Sequence, residues 1–348
     1  MMILRLAIIG FGNVGQEFAR LLMRKRDWLL ESKGLDVEVL AIATKSRGSL
    51  ISKRAIDLQH ALEHLASNRT LAGFGPEATS LTPKQIIEQT DADLMVELTP
   101  LNIDTGQPAI DHIRTALGVG LDVITANKGP IAYAHKELRA LARSKGVHFR
   151  FEGTVMDGAP IFNLVEKTLP GCQILAIEGI LNSTSNFILS EMSNGKTMEE
   201  ALKAAQAGGF AEADASIDID GWDAAVKITA LANVLMEAES NPKQVDREGI
   251  REVTPGDIAK ARENGQKLRL IASASLEGGE VKLRVKRMLI DSSSPFWSID
   301  GTSSAVTLKT DLMGDLTISE TNPQVTQTAY AIFSDMLLIT ESIRSGTL

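Results

Sequence analysis

Near the N-terminus an apolar run, ILRLAII (residues 3–9), breaks into GFGNVG, and a helical pattern follows at once. A strand, a glycine turn and a helix in that order leave few folds open. A continuous apolar run suits a strand buried on both faces, as in a parallel sheet. In NVGQEFARLLMRKRDWLL, Val14, Phe18, Leu21, Leu22 and Leu29 share one side of a helix. Gly10, Gly12 and Gly15 fit G-x-G-x-x-G, placed after a strand and opening a helix. The first glycine permits the tight turn, the second admits a pyrophosphate to the backbone, and the third lets helix and strand pack closely. The first helical turn, with Asn13 and Val14, then meets the phosphate charge. Glycines at such a turn also serve folding alone, but this context favours a dinucleotide.

The pattern continues in the same style to about residue 150. DVEVLAIA (36–43), LMVEL (94–98) and DVIT (122–125) read as further strands, with helical patterns at 51–66, 106–117 and 134–146 between them. Strands alternating with helices indicate βαβ units and a parallel sheet. After VHFRF (147–151) the pattern changes. Helices dominate from 184 to 264, and then KLRLIASASLE and VKLRVKRMLI form two antiparallel strands joined at Gly278 and Gly279. Residues 322–343 read as one long helix that docks back on the first domain.

Composition removes several partners. The net charge is −8 and aromatic residues make up 4%, with no basic block to track a phosphate backbone, so nucleic acid is excluded. No stretch approaches the roughly 20 apolar residues of a membrane span. MMILRLAIIG has no basic leader and no cleavage site and reads as a first strand. The single cysteine, Cys172, rules out an internal disulfide and suits a reducing cytoplasm. It has no histidine close in sequence and reads as a structural thiol. His60 and His64 lie four apart without a third metal ligand and read as surface residues.

The dinucleotide fingerprint expects an acid at the end of the second strand. Asp36 and Glu38 come too early, and the tip carries Thr44, Lys45, Ser46 and Arg47. Two cations and two hydroxyls suit a 2′-phosphate, so NADP(H) is expected over NAD(H); the alternative is a solvated basic loop. The third and fourth strands end in Thr99 and in Asn127–Lys128, where a doubly wound sheet binds its ligand. A lysine buried there needs an anion or a developing oxyanion to meet it.

VELTPLNIDTGQPAIDHIRTAL, DVITANKGP, FEGTVMDGAPIF, GILNSTSNFIL and GGFAEADASIDIDGWDAAVK together resemble homoserine dehydrogenase in order and spacing, from the glycine loop to at least residue 230. The resemblance implies nicotinamide-dependent interconversion of L-homoserine and L-aspartate 4-semialdehyde. It places Glu212, Asp218, Asp223 and Lys227 toward the amino acid substrate, carboxylates on its ammonium and the lysine on the reacting oxygen. Asp223 and Lys227 share one side of a helix, being four apart. A zwitterionic substrate needs an anion for its ammonium, and a carbonyl becoming an alkoxide needs a proton or a cation. The alternative is an exposed ion pair worth only about 0.3–0.5 kcal/mol. Lys128 would organise the oxyanion. Asn182 and Thr184 either meet the substrate carboxylate or cap a helix.

The same resemblance implies a monovalent cation, Na+ or K+, on Glu152, Val155, Asp157 and Ala159, although Met156 and Asp157 stand where many relatives have glycine. It brings Gly314 of TDLMGDLT toward the nicotinamide. The expected fold class is α/β: a Rossmann-type parallel-sheet domain at 1–150, completed by about 305–348, plus an α+β catalytic and dimerisation domain at 151–304. A homodimer with a small-molecule substrate is expected, with no appended regulatory module. Two rival readings remain at this level, an aspartate dehydrogenase-like enzyme and a nucleotide-binding sensor without catalysis.

Overall fold

The computed structural model describes residues 1–347. The chain divides into two units, Met1–Gly158 with the C-terminal segment from Gln324, and Ala159–Pro323.

The first unit contains β1 (Met2–Ile9), α1 (Asn13–Lys33), β2 (Leu35–Ala43), β3 (Ser49–Ile51), α2 (Leu58–Asn68), β4 (Ala78–Thr79) and α3 (Pro83–Gln89). It continues through β5 (Leu94–Glu97), α4 (Ala109–Gly118), β6 (Asp122–Thr125), α5 (Lys128–Lys145) and β7 (Phe149–Arg150). Its sheet runs β4-β3-β2-β1-β5-β6-β7, with β2, β1, β5, β6 and β7 parallel. The chain goes from β1 to one side and later returns on the other, so the strand order reverses at β1. Side chains alternate between two cores. Leu4, Leu6 and Ile8 of β1 enter one, and Ala7 and Ile9 enter the other. Burial on both faces is why β1 reads as an unbroken apolar run.

The second unit contains α6 (Phe162–Thr168), β8 (Ile174–Ile180), α7 (Ser183–Ser193), α8 (Met198–Ala207), α9 (Ser216–Ile219), α10 (Trp222–Leu235) and β9 (Asp246–Arg247). After them come α11 (Pro255–Glu263), β10 (Lys267–Glu277), β11 (Glu280–Ile290), β12 (Ser304–Thr310) and β13 (Asp315–Glu320). The sheet runs β13-β12-β8-β10-β11-β9. Gly278 and Gly279 take φ +60° and +88°, as a two-residue hairpin turn requires. The last helix, α12 (Val325–Ser345), belongs to the first unit, where Ala329, Ile332, Phe333, Met336 and Ile339 close one core.

Two expectations change. Residues 51–66 are not one helix. Ser49–Ile51 pairs antiparallel with β2, and the helix starts only after Asp57, whose carboxylate caps the His60 N–H at 3.0 Å. Residues 304–320 do not complete the first unit. They form the β12–β13 hairpin, and β12 pairs with β8, so the return begins at Gln324.

Candidate active site

Each unit carries part of the predicted site. In the first, the glycines separate by what a side chain would meet. A Cβ at Gly10, where φ is +105°, would lie 2.5 Å from the Leu98 carbonyl, and one at Gly15 would lie 2.5 Å from the Gly10 carbonyl oxygen. Both are demanded by packing. A Cβ at Gly12 would meet nothing within 4 Å. Gly12 is also the N-cap of α1, where no side chain caps the helix and no acid occupies the first turn. That open, uncapped helix start suits an anion. Asn13 stands exposed beside it and Val14 packs on the core.

At the tip of β2, Lys45 and Arg47 are exposed. Thr44 is occupied by its own turn, where its hydroxyl donates to the Gly48 carbonyl at 2.7 Å and accepts from the Arg47 N–H at 2.8 Å. The Arg47 carbonyl in turn accepts from Leu71 N at 2.6 Å, so the loop that presents the two cations is latched to its neighbour.

The tips of β5 and β6 are organised by a residue the sequence reading passed over. Glu97 is 0% exposed. Its Oε1 accepts from the Thr99 N–H at 3.0 Å and from the Thr99 hydroxyl, and its Oε2 accepts from Thr125 Oγ1 at 3.0 Å. Thr125 Oγ1 accepts from the Asn127 N–H at 3.0 Å, and Asn127 Nδ2 donates to the Thr99 carbonyl at 2.9 Å. Asn127 Oδ1 caps α5 through Gly129 N at 3.0 Å, and Lys128 is the first residue of that helix. A charged residue within LMVEL was the available signal.

In the second unit, β8 runs into α7 through Leu181 and Asn182. Asn182 both caps and bridges. Its Oδ1 accepts from Ser185 N at 2.7 Å, while Nδ2 donates to Asp218 Oδ1 at 2.6 Å and Asp223 Oδ2 at 2.9 Å. Lys227 Nζ lies 3.2 Å from Asp223 Oδ2 and donates to the Leu181 carbonyl at 2.7 Å. The side chains of Lys227 and Asp223 are only 15% and 10% exposed, which removes the reading of a solvated surface pair. Burial, and next the neighbouring Asp223 charge, push the Asp218 carboxyl above its ordinary range. Between Asp218 and Asp223 the chain turns at Gly221, where φ is +77° and a Cβ would lie 2.6 Å from the Glu248 carbonyl oxygen. Thr184 Oγ1 donates to the Phe210 carbonyl at 2.9 Å.

Other predicted residues fall elsewhere. Glu212 is exposed on the loop after α8. Gln206 Nε2 holds the Glu212 and Ala213 carbonyls, both at 3.3 Å, and the carboxylate stays in solvent. Gly314 lies in the β12–β13 turn of the second unit at φ +70°, its carbonyl accepting from Thr310 N and Oγ1. Glu152 is buried in a single 3-10 turn, its N–H donating to Asp335 Oδ2 at 2.9 Å, and Val155 is buried after it. Met156 and Asp157 adopt φ +52° and +50°, the left-handed backbone that glycine takes without strain. Thr328 Oγ1 donates to Asp157 Oδ1 at 3.2 Å. Ala159 is the first residue of the second unit. Among the described residues no three His, Cys, Asp or Glu side chains group as a metal site. His60 and His64 both pack on Phe74, with centroids 4.6 and 5.8 Å away.

Comparison with known proteins identifies the family. Residues 10–152 match the model of the homoserine dehydrogenase NAD binding domain, and residues 160–337 match the homoserine dehydrogenase model. The chain is 35% identical over 340 residues to an NAD(+)-dependent homoserine dehydrogenase of Pseudomonas canavaninivorans, covering 97% of this chain and 96% of that one. It is 37% identical over 341 residues to a homoserine dehydrogenase of Methanocaldococcus jannaschii, covering 97% and 98%. A hyperthermophilic archaeal homoserine dehydrogenase solved in complex with NADPH superposes with a TM-score of 0.84 at 30% identity, covering 98% of each chain. Two matched models spanning both units, and relatives matched nearly end to end, place the chain in the homoserine dehydrogenase family.

Proposed function

We propose that the chain interconverts L-homoserine and L-aspartate 4-semialdehyde with Lys227 as the acid and base of the reaction. The observation that carries this reading is the sheltered Lys227 ammonium, held by the Leu181 carbonyl and the Asp223 carboxylate. Family membership makes the chain an NAD(P)-dependent oxidoreductase acting on a CH–OH group. The nicotinamide, when bound, supplies or takes the hydride. The rest falls to the chain's own side chains. As an aldehyde is reduced, negative charge grows on its oxygen, and a proton donor or cation must meet it there. Lys227 supplies the proton in that direction and takes it back in the other. Asp223 aims Nζ. Lys128 is the second cation assigned to the oxyanion. Asp218 and Asp223 are assigned to the substrate ammonium, and a carboxyl disfavoured by burial and by a like charge gains most when a cation arrives. Asn182 holds the two acids at fixed spacing.

The test is reduced-dinucleotide oxidation with aspartate semialdehyde. Lys227→Ala should lower kcat by at least about 10³-fold while the melting temperature and dinucleotide Kd stay unchanged. Near-normal turnover in that variant would remove the assignment. NADP(H) is the dinucleotide assigned, because Lys45 and Arg47 stand exposed where a 2′-phosphate would lie. A KM for NADH equal to or below that for NADPH would reverse the preference.

Three further assignments complete the reading. Glu152 with the carbonyls of Val155, Asp157 and Ala159 is one charge among neutral oxygens, a donor set that suits Na+ or K+. Such an ion would brace the backbone, and an unchanged melting temperature in buffers free of both ions would remove it. A homodimer formed through the second unit is supported by Leu276 and Leu289, which stand exposed on one face of the β10–β11 pair. A one-chain mass by light scattering would end that assignment. The single cysteine supports a cytoplasmic setting, which cell fractionation checks.

A further inference from the structure

We infer that Glu97 is a positioning residue for the nicotinamide end of the dinucleotide, acting through Thr99 and Asn127. The inference rests on the dehydrogenase reading above and goes beyond it by naming what shapes that end of the site.

The direction of the dinucleotide follows from strand order. The pyrophosphate sits over the β1–α1 turn and the adenosine ribose goes to the tip of β2. With β5 and β6 on the other side of β1, the nicotinamide half falls over their tips. Beneath those tips lies the fully buried carboxyl of Glu97, and a buried acid is costly unless donors surround it. Glu97 has a backbone N–H and two hydroxyls, drawn from both tips. One acid therefore sets the spacing of two neighbouring loops.

The chain of contacts runs outward in two directions. Toward β6, Thr125 passes the constraint to the Asn127 N–H, and the Asn127 side chain closes the ring on the Thr99 carbonyl. Toward β1, the Leu98–Thr99 backbone is the wall against which Gly10 packs, since a Cβ there would lie 2.8 Å from Thr99 N. His112 flanks the acid, with Nδ1 3.8 Å from Oε1, too far for a hydrogen bond. Glu97 reaches no ligand itself. Its effect is exerted through the half-buried Thr99 and through Asn127.

The test compares two ligands that share an adenosine half. One is the reduced dinucleotide the wild-type chain binds, and the other is the matching ADP-ribose or 2′-phospho-ADP-ribose, which lacks the nicotinamide. Glu97→Gln keeps shape and one acceptor but turns the other accepting oxygen into an amide donor, which breaks part of the ring of contacts. It should weaken the reduced dinucleotide about tenfold by fluorescence titration and leave the ribose analogue within about twofold. Thr125→Val should reproduce a smaller selective loss of about threefold, Thr125→Ser should restore binding, and the double variant should fall short of the product of the two. The Thr125 pair also carries the test if Glu97→Gln does not fold. Equal loss for both ligands, or no loss for either, would overturn the inference. A wild-type chain that does not oxidise its dinucleotide with aspartate semialdehyde would instead overturn the dehydrogenase reading. The two failures are therefore distinct.

Discussion

Glu97 and Asp223 are both buried acids, yet the two units surround them with different donors. Around Glu97 the donors are neutral, a backbone amide and two threonine hydroxyls. Around Asp223 they are the Asn182 amide and the ammonium of Lys227. Neutral donors fix a position and offer no proton near neutral pH. An ammonium against a carboxylate fixes a position and also holds a proton that can be passed on. The first arrangement suits a wall, and the second suits the reacting group proposed above.

That contrast makes its largest prediction at Asp223. Asp223→Asn keeps the size and an acceptor for Asn182 but removes the charge beside Lys227. We expect kcat to fall about 10²-fold with dinucleotide affinity unchanged, the reverse of the pattern expected for Glu97→Gln. Steady-state kinetics and a dinucleotide titration on both variants decide it, and matching profiles would erase the distinction.

The glycine loop sharpens the same distinction between shaping and binding. Gly15→Ala should destabilise the fold by about 1–3 kcal/mol in urea unfolding, because its Cβ meets the Gly10 carbonyl oxygen. Gly12→Ala should leave unfolding unchanged and raise the dinucleotide KM about tenfold, because its Cβ enters only open space. A destabilised Gly12→Ala of normal KM would show that the loop serves folding alone.

A third buried acid gives the smallest effect. Asp122, at the other end of β6 from Thr125, accepts from the His148 N–H at 2.7 Å and lies 2.9 Å from its Nδ1. The hydrogen bond to Asp122 holds the His148 pKa above its ordinary value, against the opposing effect of burial. A raised folded-state pKa places the stabilisation fully below the unfolded value and loses it as pH rises through the folded one. His148→Gln should therefore cost roughly 1 kcal/mol near about pH 6 and less near about pH 9, measured by urea unfolding. A cost that grows with pH would reverse the assignment.

Much of this was legible in the order of residues, and the successes share a cause. The glycine loop, the strands β1, β2, β5 and β6, the β10–β11 hairpin and α12 are all announced by local periodicity or turn chemistry. Asp223 and Lys227 meet because four residues is one helical turn. The misses are equally physical. β3 and β4, of three and two residues, are too short for periodicity to register. The β12–β13 hairpin was assigned to the wrong unit because nothing within residues 304–320 says that the partner of β12 is β8.

By itself the order of residues determined the class of fold, the glycine turn between β1 and α1 and the spacing that pairs Asp223 with Lys227, since each depends on neighbours within a turn or a strand. Only tertiary structure decided what surrounds those groups. Lys227 meets a carbonyl 46 residues away, Asn182 gathers acids 36 and 41 residues away, and Glu97 reaches a threonine 28 residues away. Hydrogen bonds closed over such distances leave no periodic trace in the chain. Their partners meet only because sheet and helix packing bring distant segments to the same few ångströms.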